Sequence, residues 1–150
     1  MQTGRRLLLQ GGLVLAALAA LPRTLLAAVW PEKAFSQTAA RQAMTELLGT
    51  TDTVSSDRIM LKVPQIAENG AVVPVTVSTT LDNVASISIF VENNPRPLAA
   101  SFELASGTLP EISSRLKMGE TSNVMAVVRT DTGLFSVSKE VKVTIGGCGG

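Results

Sequence analysis

The sequence contains no histidine and no tyrosine, it has one cysteine, and only 3% of its 150 residues are aromatic. Without histidine the chain cannot supply an imidazole general base, a Ser-His-Asp or Cys-His pair, or a His-ligated zinc or haem site. A single cysteine excludes a disulfide within the chain and CxxC chemistry. Any chemistry must therefore come from carboxylates, amines, hydroxyls or the one thiol, that of Cys148.

The first 28 residues have the pattern of a cleavable export signal. A basic start with Arg5 and Arg6 precedes a short apolar stretch over Leu7–Leu21, and small residues follow near Ala28. The adjacent arginines favour the twin-arginine route. A membrane anchor would need about 20 predominantly apolar residues, which is longer than this stretch. We predict a signal peptide over 1–28, a periplasmic location and no membrane attachment after cleavage.

Removal of the signal changes the charge balance of the chain. Arg5, Arg6 and Arg23 leave with it, so ten of the 13 basic residues remain against 12 acidic ones, a net charge of −2. No basic cluster is left to neutralise a phosphate backbone, and a nucleic acid is therefore excluded as a partner.

The mature chain has two kinds of hydrophobic periodicity. A period near four predicts one amphipathic helix over 29–49 that ends at Gly49; it is carried by Phe35, Ala39, Ala43 and Leu47. A polar loop over 50–57 follows. From residue 58 the period becomes two, and the alternating runs begin at Ile59, Val73, Ile87, Phe102, Ser114, Val124 and Leu134.

Seven short strands separated by turn-forming residues predict a mainly β fold, an immunoglobulin-like antiparallel β-sandwich over 58–145. Because the paired cysteines of antibody domains are missing, the apolar faces alone must hold this sandwich together. Pro74 lacks the N–H group that a sheet ladder needs, so its strand is expected at an edge or a bulge.

Directly after the last strand the sequence is Gly-Gly-Cys-Gly-Gly over 146–150. Glycine has the widest backbone freedom of all residues, and the three residues from Ile145 to Cys148 reach at most about 10 Å. We therefore predict a flexible C-terminal arm that presents the thiol of Cys148 beyond a rigid body. The residues of this arm are Gly146, Gly147, Gly149 and Gly150.

The surroundings of Cys148 along the chain do not activate its sulfur. A thiol becomes a strong nucleophile beside a cation, a helix N-terminus or a metal, whereas the nearest cation in sequence, Lys142, is six residues away and the terminal carboxylate is two. One thiolate also cannot supply the four ligands of a structural metal site. The sequence thus predicts a group on which other proteins act, with no catalytic residue, cofactor or metal of its own.

Four segments together resemble the SoxY family of the bacterial thiosulfate-oxidising Sox system, and the terminal GGCGG is the most specific of their motifs. The segments are Pro64–Val75, Glu92–Pro97, Thr121–Val124 and Val141–Gly150. The resemblance implies a non-enzymatic sulfur carrier that forms a heterodimer with SoxZ and carries thiosulfonate and persulfide adducts on Cys148. It further implies transient encounters with SoxAX, which conjugates thiosulfate, with the hydrolase SoxB, and with SoxCD where that enzyme is present.

Three other functions are compatible with parts of the sequence. An exported immunoglobulin-like structural module could use Cys148 for a disulfide-linked dimer. A ubiquitin-like carrier would convert the carboxylate of Gly150 to a thiocarboxylate, which needs ATP and a different strand pattern. A thiol enzyme would need an activated sulfur.

Several other residues invite a functional interpretation that the sequence does not favour. Glu92 and Glu103 could form an acid/base pair, but on alternating strands we expect both to be solvated. Arg96, between two prolines, could bind an anion, yet a loop charge is the simpler interpretation. Asn69 and Gly70 are expected to form a turn only.

Overall fold

The computed structural model of the protein describes residues 30–144. The predicted export signal and the predicted Gly-Gly-Cys-Gly-Gly arm lie outside these residues. Residues 31–144 belong to one compact unit. Within the described part of the chain, no helix is long and apolar enough to cross a membrane.

The N-terminal segment forms two helices, α1 (Glu32–Ser36) and α2 (Ala40–Leu48), and the prediction of one continuous helix is wrong in this respect. The side chains of Ser36 and Gln37 both donate hydrogen bonds to the carbonyl oxygen of Lys33, at 2.9 and 3.1 Å. Such local bonds compete with helix propagation, and the backbone is extended at Ala39. Helix α2 ends as predicted at Gly49, whose φ of 81° lies in the left-handed region that favours glycine.

Within residues 30–144, nine strands form two sheets that pack face to face, which confirms the mainly β, immunoglobulin-like sandwich. The large sheet has the order β1-β9-β8-β5-β6, with β3 also paired to β9, and the small sheet has the order β2-β4-β7. The strands are β1 (Val54–Ser55), β2 (Ile59–Lys62), β3 (Ile66–Ala67), β4 (Val73–Thr79), β5 (Val84–Val91), β6 (Leu98–Glu103), β7 (Glu111–Leu116), β8 (Ser122–Thr130) and β9 (Gly133–Val143).

Two short strands depart from the predicted antiparallel pattern. Strands β1 and β3 both pair with β9 in parallel, Val54 beside Phe135 and Ile66 beside Lys142. The intervening strand β2 crosses to the small sheet and back. A two-residue strand is too short to show a hydrophobic period, so β1 lies within the segment predicted as a loop.

Strand β4 is central in the small sheet, and yet no residue of β2 lies beside Pro74. The N–H group of Thr80 bonds to Arg58 on the β2 side of this strand. Because a strand has a period of two, the nitrogen of Pro74 faces the same side. Strand β2 ends at the pairing of Lys62 with Thr76, so no ladder bond is lost at the proline. The prediction that its strand lies at an edge or a bulge is wrong for this reason.

Two hydrophobic clusters stabilise the unit. One cluster lies between the sheets and includes Leu61, Val73, Val75, Val77, Ile87, Ile89, Val91, Val124, Val128 and Val141. The other lies between the helices and the large sheet and includes Ala34, Ala43, Met44, Phe90, Leu98 and Val127. Full burial of each Val, Leu, Ile or Phe side chain contributes about 1.5–3 kcal/mol, so the inter-sheet cluster supplies most of the hydrophobic stabilisation.

Candidate functional site at the C-terminal end of strand β9

Strand β9 is held by hydrogen bonds on both sides up to the last described residue. On the β3 side, the N–H group of Lys142 donates to the carbonyl oxygen of Gln65 (2.9 Å) and that of Thr144 donates to the carbonyl oxygen of Ala67 (3.1 Å). On the β8 side, the N–H group of Val143 donates to Oγ1 of Thr121 (3.0 Å). The backbone is therefore fixed at the point from which the final residues depart.

The loop between β3 and β4 packs closely against this point. The N–H group of Met118 donates to the carbonyl oxygen of Gly70 at 2.7 Å. A Cβ atom at Gly70 would collide with the carbonyl oxygen of Met118 and would lie 2.8 Å from Cγ1 of Val143. Glycine is therefore required at this position for close packing.

Sequence analysis missed this role of Gly70. The turn itself is present, since the side chain of Asn69 accepts a hydrogen bond from the N–H group of Ala71 at 3.0 Å. A glycine after an asparagine is a common turn signal, and nothing in the sequence distinguishes a glycine that is needed for the turn from one that is needed for packing.

Two asparagines of the loop between β5 and β6 connect it to the loop between β7 and β8. The side chain of Asn94 donates to the carbonyl oxygen of Lys117 (2.7 Å) and accepts from the N–H group of Gly119 (3.2 Å). The side chain of Asn93 donates to the carbonyl oxygen of Thr121 (2.9 Å). We call the three loops 68–72, 92–97 and 117–121 the tail-end loops. Their mutual hydrogen bonds form a single support around the end of β9.

The support carries charges of both signs. Glu68, Lys117, Glu120 and Lys142 are all exposed there, and none of the described residues at this end forms an ion pair, because the salt bridge within residues 30–144 joins Arg58 and Asp82. The described part of the chain also contains no group of three metal-binding side chains. The arrangement can anchor a peptide segment and meet a partner surface of mixed charge.

The structure does not bring Glu92 and Glu103 together. Glu103 pairs with Ser86 near the start of β5, whereas Glu92 follows the last residue of β5 and accepts a hydrogen bond from the side chain of Asn123 at 3.0 Å. The separation of six residue steps from Ser86 to Glu92 corresponds to about 20 Å of strand. An acid/base pair of these two carboxylates is therefore excluded.

Arg96 is exposed, and its Nη1 atom lies 3.5 Å from the carbonyl oxygen of Phe35, which accepts a long hydrogen bond from it. This contact joins the loop between β5 and β6 to helix α1. The geometry agrees with a loop charge that helps to position the helix.

The predicted attachment residue, Cys148, and the arm residues Gly146, Gly147, Gly149 and Gly150 lie outside the described residues. The structure describes their point of attachment, since Cys148 follows Thr144 by four residues.

Comparison with known protein families identifies the family to which the chain belongs. The family described as "Sulfur oxidation protein SoxY" matches residues 44–148. The chain belongs to the SoxY family. The match includes every strand, the second half of α2 and the terminal cysteine, and it confirms the resemblance carried by the sequence motifs.

A solved structure of a SoxY family member supports the assignment. The sulfur carrier protein SoxY from Chlorobium limicola f thiosulfatophilum is 42% identical in sequence, with a TM-score of 0.63, and the alignment covers 69% of this chain and 94% of that one. A superoxide reductase (neelaredoxin) from Ignicoccus hospitalis has a TM-score of 0.54 at 16% identity, covering 61% of this chain and 95% of that one. This second similarity shows a shared fold only. Among curated proteins, none matches the chain.

Proposed function

We propose that this SoxY family member is a periplasmic sulfur carrier that holds intermediates of thiosulfate oxidation covalently on Cys148. The observation that carries the proposal is the extent of the family match, which reaches residue 148 and so includes the one thiol of the chain. The 42% identical relative is itself described as a sulfur carrier protein.

The fixed end of β9 suits a carrier. Thr144 is bonded to Ala67, while Cys148 follows after one isoleucine and two glycines. Four residues span at most about 14 Å when extended. A tail of this length could carry the sulfur into a partner's active site while the sandwich stays outside. The glycines lack the side chains that would obstruct a narrow entrance.

The chemistry belongs to the partners in this proposal. Conjugation joins the Cys148 sulfur to the outer sulfur of thiosulfate, and one proton and two electrons leave, the electrons passing to the haem of SoxAX. Water then attacks the terminal sulfone in SoxB, which releases sulfate and a proton and leaves a persulfide on Cys148. Where SoxCD is present, it oxidises that sulfur further. The carrier itself is not an enzyme and is paired with SoxZ.

Intact-mass measurement of protein purified from thiosulfate-grown cells tests the proposal. We expect sulfur-containing mass increments confined to the C-terminal peptide, removed by dithiothreitol and absent from Cys148→Ser. The matched control is the double variant Cys148→Ser/Ser138→Cys, which moves the thiol to an exposed position of β9. A carrier should leave this relocated thiol unmodified, because it cannot enter a partner's active site.

Two results would contradict the proposal. Equal modification of the thiol at position 138 would indicate nonspecific sulfur chemistry. Disulfide-linked dimers through Cys148 without any sulfur adduct would favour the structural cross-linking module instead.

A further inference from the structure

The two edges of the large sheet differ in whether further strands pair with them. At the β9 edge the protein places its own short strands, β1 beside Phe135 and Ser136, and β3 beside Lys142 and Val143. At the other edge, β6 pairs with β5, and no strand of the described residues pairs with its outer side, although helices α1 and α2 pack near Leu98 at its start.

The direction of the backbone groups of β6 follows from its hydrogen bonds. The N–H group of Leu104 donates to the carbonyl oxygen of Ala85 at 2.9 Å, so Leu104 faces β5. With the period of two along a strand, Phe102 also faces β5, while the N–H and C=O groups of Ser101 and Glu103 point away from the sheet. Within residues 30–144 these outward groups have no backbone partner. Such a row of free donors and acceptors is a template for another extended strand.

The side chains at the centre of β6 do not protect this edge, and the charged residue of the strand, Glu103, lies at its end. Proteins usually guard a free edge with lysine, proline or inward charges, whereas β6 has small residues at its centre, Ala99, Ala100 and Ser101. By contrast, the free edge of the small sheet at β7 carries exposed Glu111 and Arg115. Edge β6 is thus the less guarded of the two.

Two apolar side chains on this side of the sandwich remain incompletely covered. Phe102 is half-buried and belongs to neither hydrophobic cluster. Leu109, in the connection from β6 to β7, is 75% exposed. A strand added at β6 would cover apolar surface in addition to forming hydrogen bonds.

The charges at one end of this side indicate the kind of strand that fits. Glu103 and Glu111 are exposed there, and neither forms an ion pair in the described part of the chain. An occupant with a basic residue near Glu103 is therefore favoured over one with an acidic residue. The edge also lies three strands away from β9, about 14 Å at the usual strand spacing, so an occupant would leave the end of β9 at Thr144 uncovered.

We propose that strand β6 is the docking edge for the partner subunit, which adds an extended strand with a basic side chain near Glu103 and continues the large sheet. This inference rests on the proposed function in one respect, namely that the partner subunit is SoxZ. It adds the surface, the backbone groups and the charge that would recognise SoxZ.

Hydrogen exchange of the full chain, with and without separately purified SoxZ, tests the edge without any substitution. We expect the amides of Ser101 and Glu103 to become protected on binding, whereas the outward amides of β7, at Ser113 and Arg115, keep their exchange rates. Binding of SoxZ with no protection at β6 would overturn the proposal. Protection of β6 by self-association in the absence of SoxZ would also overturn it, because the occupant would be a second copy of this chain.

A matched pair of proline substitutions gives a second test. Ser101→Pro removes an outward N–H group that makes no ladder bond within residues 30–144, and Ser113→Pro makes the same change at β7. We expect Ser101→Pro to weaken SoxZ binding at least tenfold, about 1.4 kcal/mol, and Ser113→Pro to change it less than twofold. Equal affinities of the two variants would contradict the proposal.

Two further measurements separate the possible failures. Circular dichroism of the two proline variants shows whether each is folded. If Ser101→Pro is not folded, Glu103→Lys replaces it, and we expect this variant to bind SoxZ at least threefold more weakly. An unchanged affinity of Glu103→Lys for SoxZ would contradict the proposal. Sulfur loading of Cys148 is measured on the same samples by intact mass. Loading without β6 protection contradicts the docking edge alone, and protection without loading contradicts the carrier function alone.

Discussion

The two ends of the sandwich differ in the groups that connect their loops. At the end where β9 finishes, the tail-end loops are joined through backbone carbonyl and N–H groups, with Gly70 bonded to Met118 and Asn94 bonded to Lys117. At the opposite end, a backbone bond from Thr80 to Arg58 is accompanied by contacts between exposed side chains. Arg58 lies 3.3 Å from Asp82, with 47% and 87% of their side chains exposed.

This difference indicates at which end of the sandwich the backbone needs a defined course. Bonds to backbone groups fix the course of the chain, whereas exposed ion pairs between long side chains contribute about 0–1 kcal/mol and are screened by salt. The well-connected end is the one from which the cysteine-bearing residues depart. Under the proposed function, a tail with a fixed origin would reach a limited volume of space, which would help it to find a partner's active site. Four substitutions test this difference between the two ends, and they follow in order of decreasing expected effect.

The largest effect is expected for Gly70→Val. Its side chain would collide with the Met118 carbonyl oxygen and with Val143, and overpacking of this kind costs about 1–3 kcal/mol. Urea unfolding measures the loss. The control is Gly119→Ala, in a neighbouring loop, where a Cβ atom would meet nothing within 4 Å. Equal stability of the two variants would show that the close approach at Gly70 can relax without cost.

A smaller loss is expected for Asn94→Ala. The substitution removes two hydrogen bonds between loops, to Lys117 and from Gly119. Each contributes about 0.5 kcal/mol, the lower end of the usual range, because both bonds are exposed to water. Asn123→Ala is the matched control, because the side chain of Asn123 bonds only to the exposed carboxylate of Glu92. Thermal unfolding should rank Asn94→Ala as the less stable variant. The reverse order would contradict the inferred role of the backbone connections.

A local effect is expected for Thr121→Val, which removes the acceptor of the Val143 N–H group. We expect a cost of about 1 kcal/mol and faster hydrogen exchange at Val143, with unchanged exchange at Val128 in the middle of β8. Unchanged exchange at Val143 would mean that this bond does not hold the end of the strand.

The smallest effect is expected at the opposite end, for Asp82→Asn. The ion pair with Arg58 is exposed on both sides, and Arg58 also donates to the carbonyl oxygen of Thr80. The stability should fall by less than about 0.5 kcal/mol, and this difference from the unsubstituted chain should shrink as salt screens the ion pair. A loss as large as that of Gly70→Val would remove the distinction between the two ends.

The sequence predicted those parts of the fold that repeat. The alternation at Val73, Val75 and Val77 and at Ile87, Ile89 and Val91 identified buried strand faces, and all six residues are buried. It could not show β1 and β3, because two residues contain no period. It also could not show the break between α1 and α2, where local side-chain bonds at Ser36 and Gln37 outweigh the hydrophobic pattern.

The candidate site divides in the same way. The Gly-Gly-Cys-Gly-Gly terminus can be recognised from the order of the residues alone, and so can the family resemblance. The support around the end of β9 depends on contacts between distant segments, such as Ala67 with Thr144 and Gly70 with Met118. No local pattern encodes these pairs, and they became apparent only when the sheet register was known.

The pairing of β9 has a consequence for biosynthesis. Its partners β1 and β3 lie far upstream, and Val54 must wait for Phe135 to be translated before the pair can form. Strands with such distant partners assemble slowly and late. A polypeptide that stops short of this strand would leave β8 unpaired and expose apolar surface, a species that proteases remove readily. We therefore expect premature termination products, which would lack the cysteine, to be degraded before they compete with the complete chain for its partners.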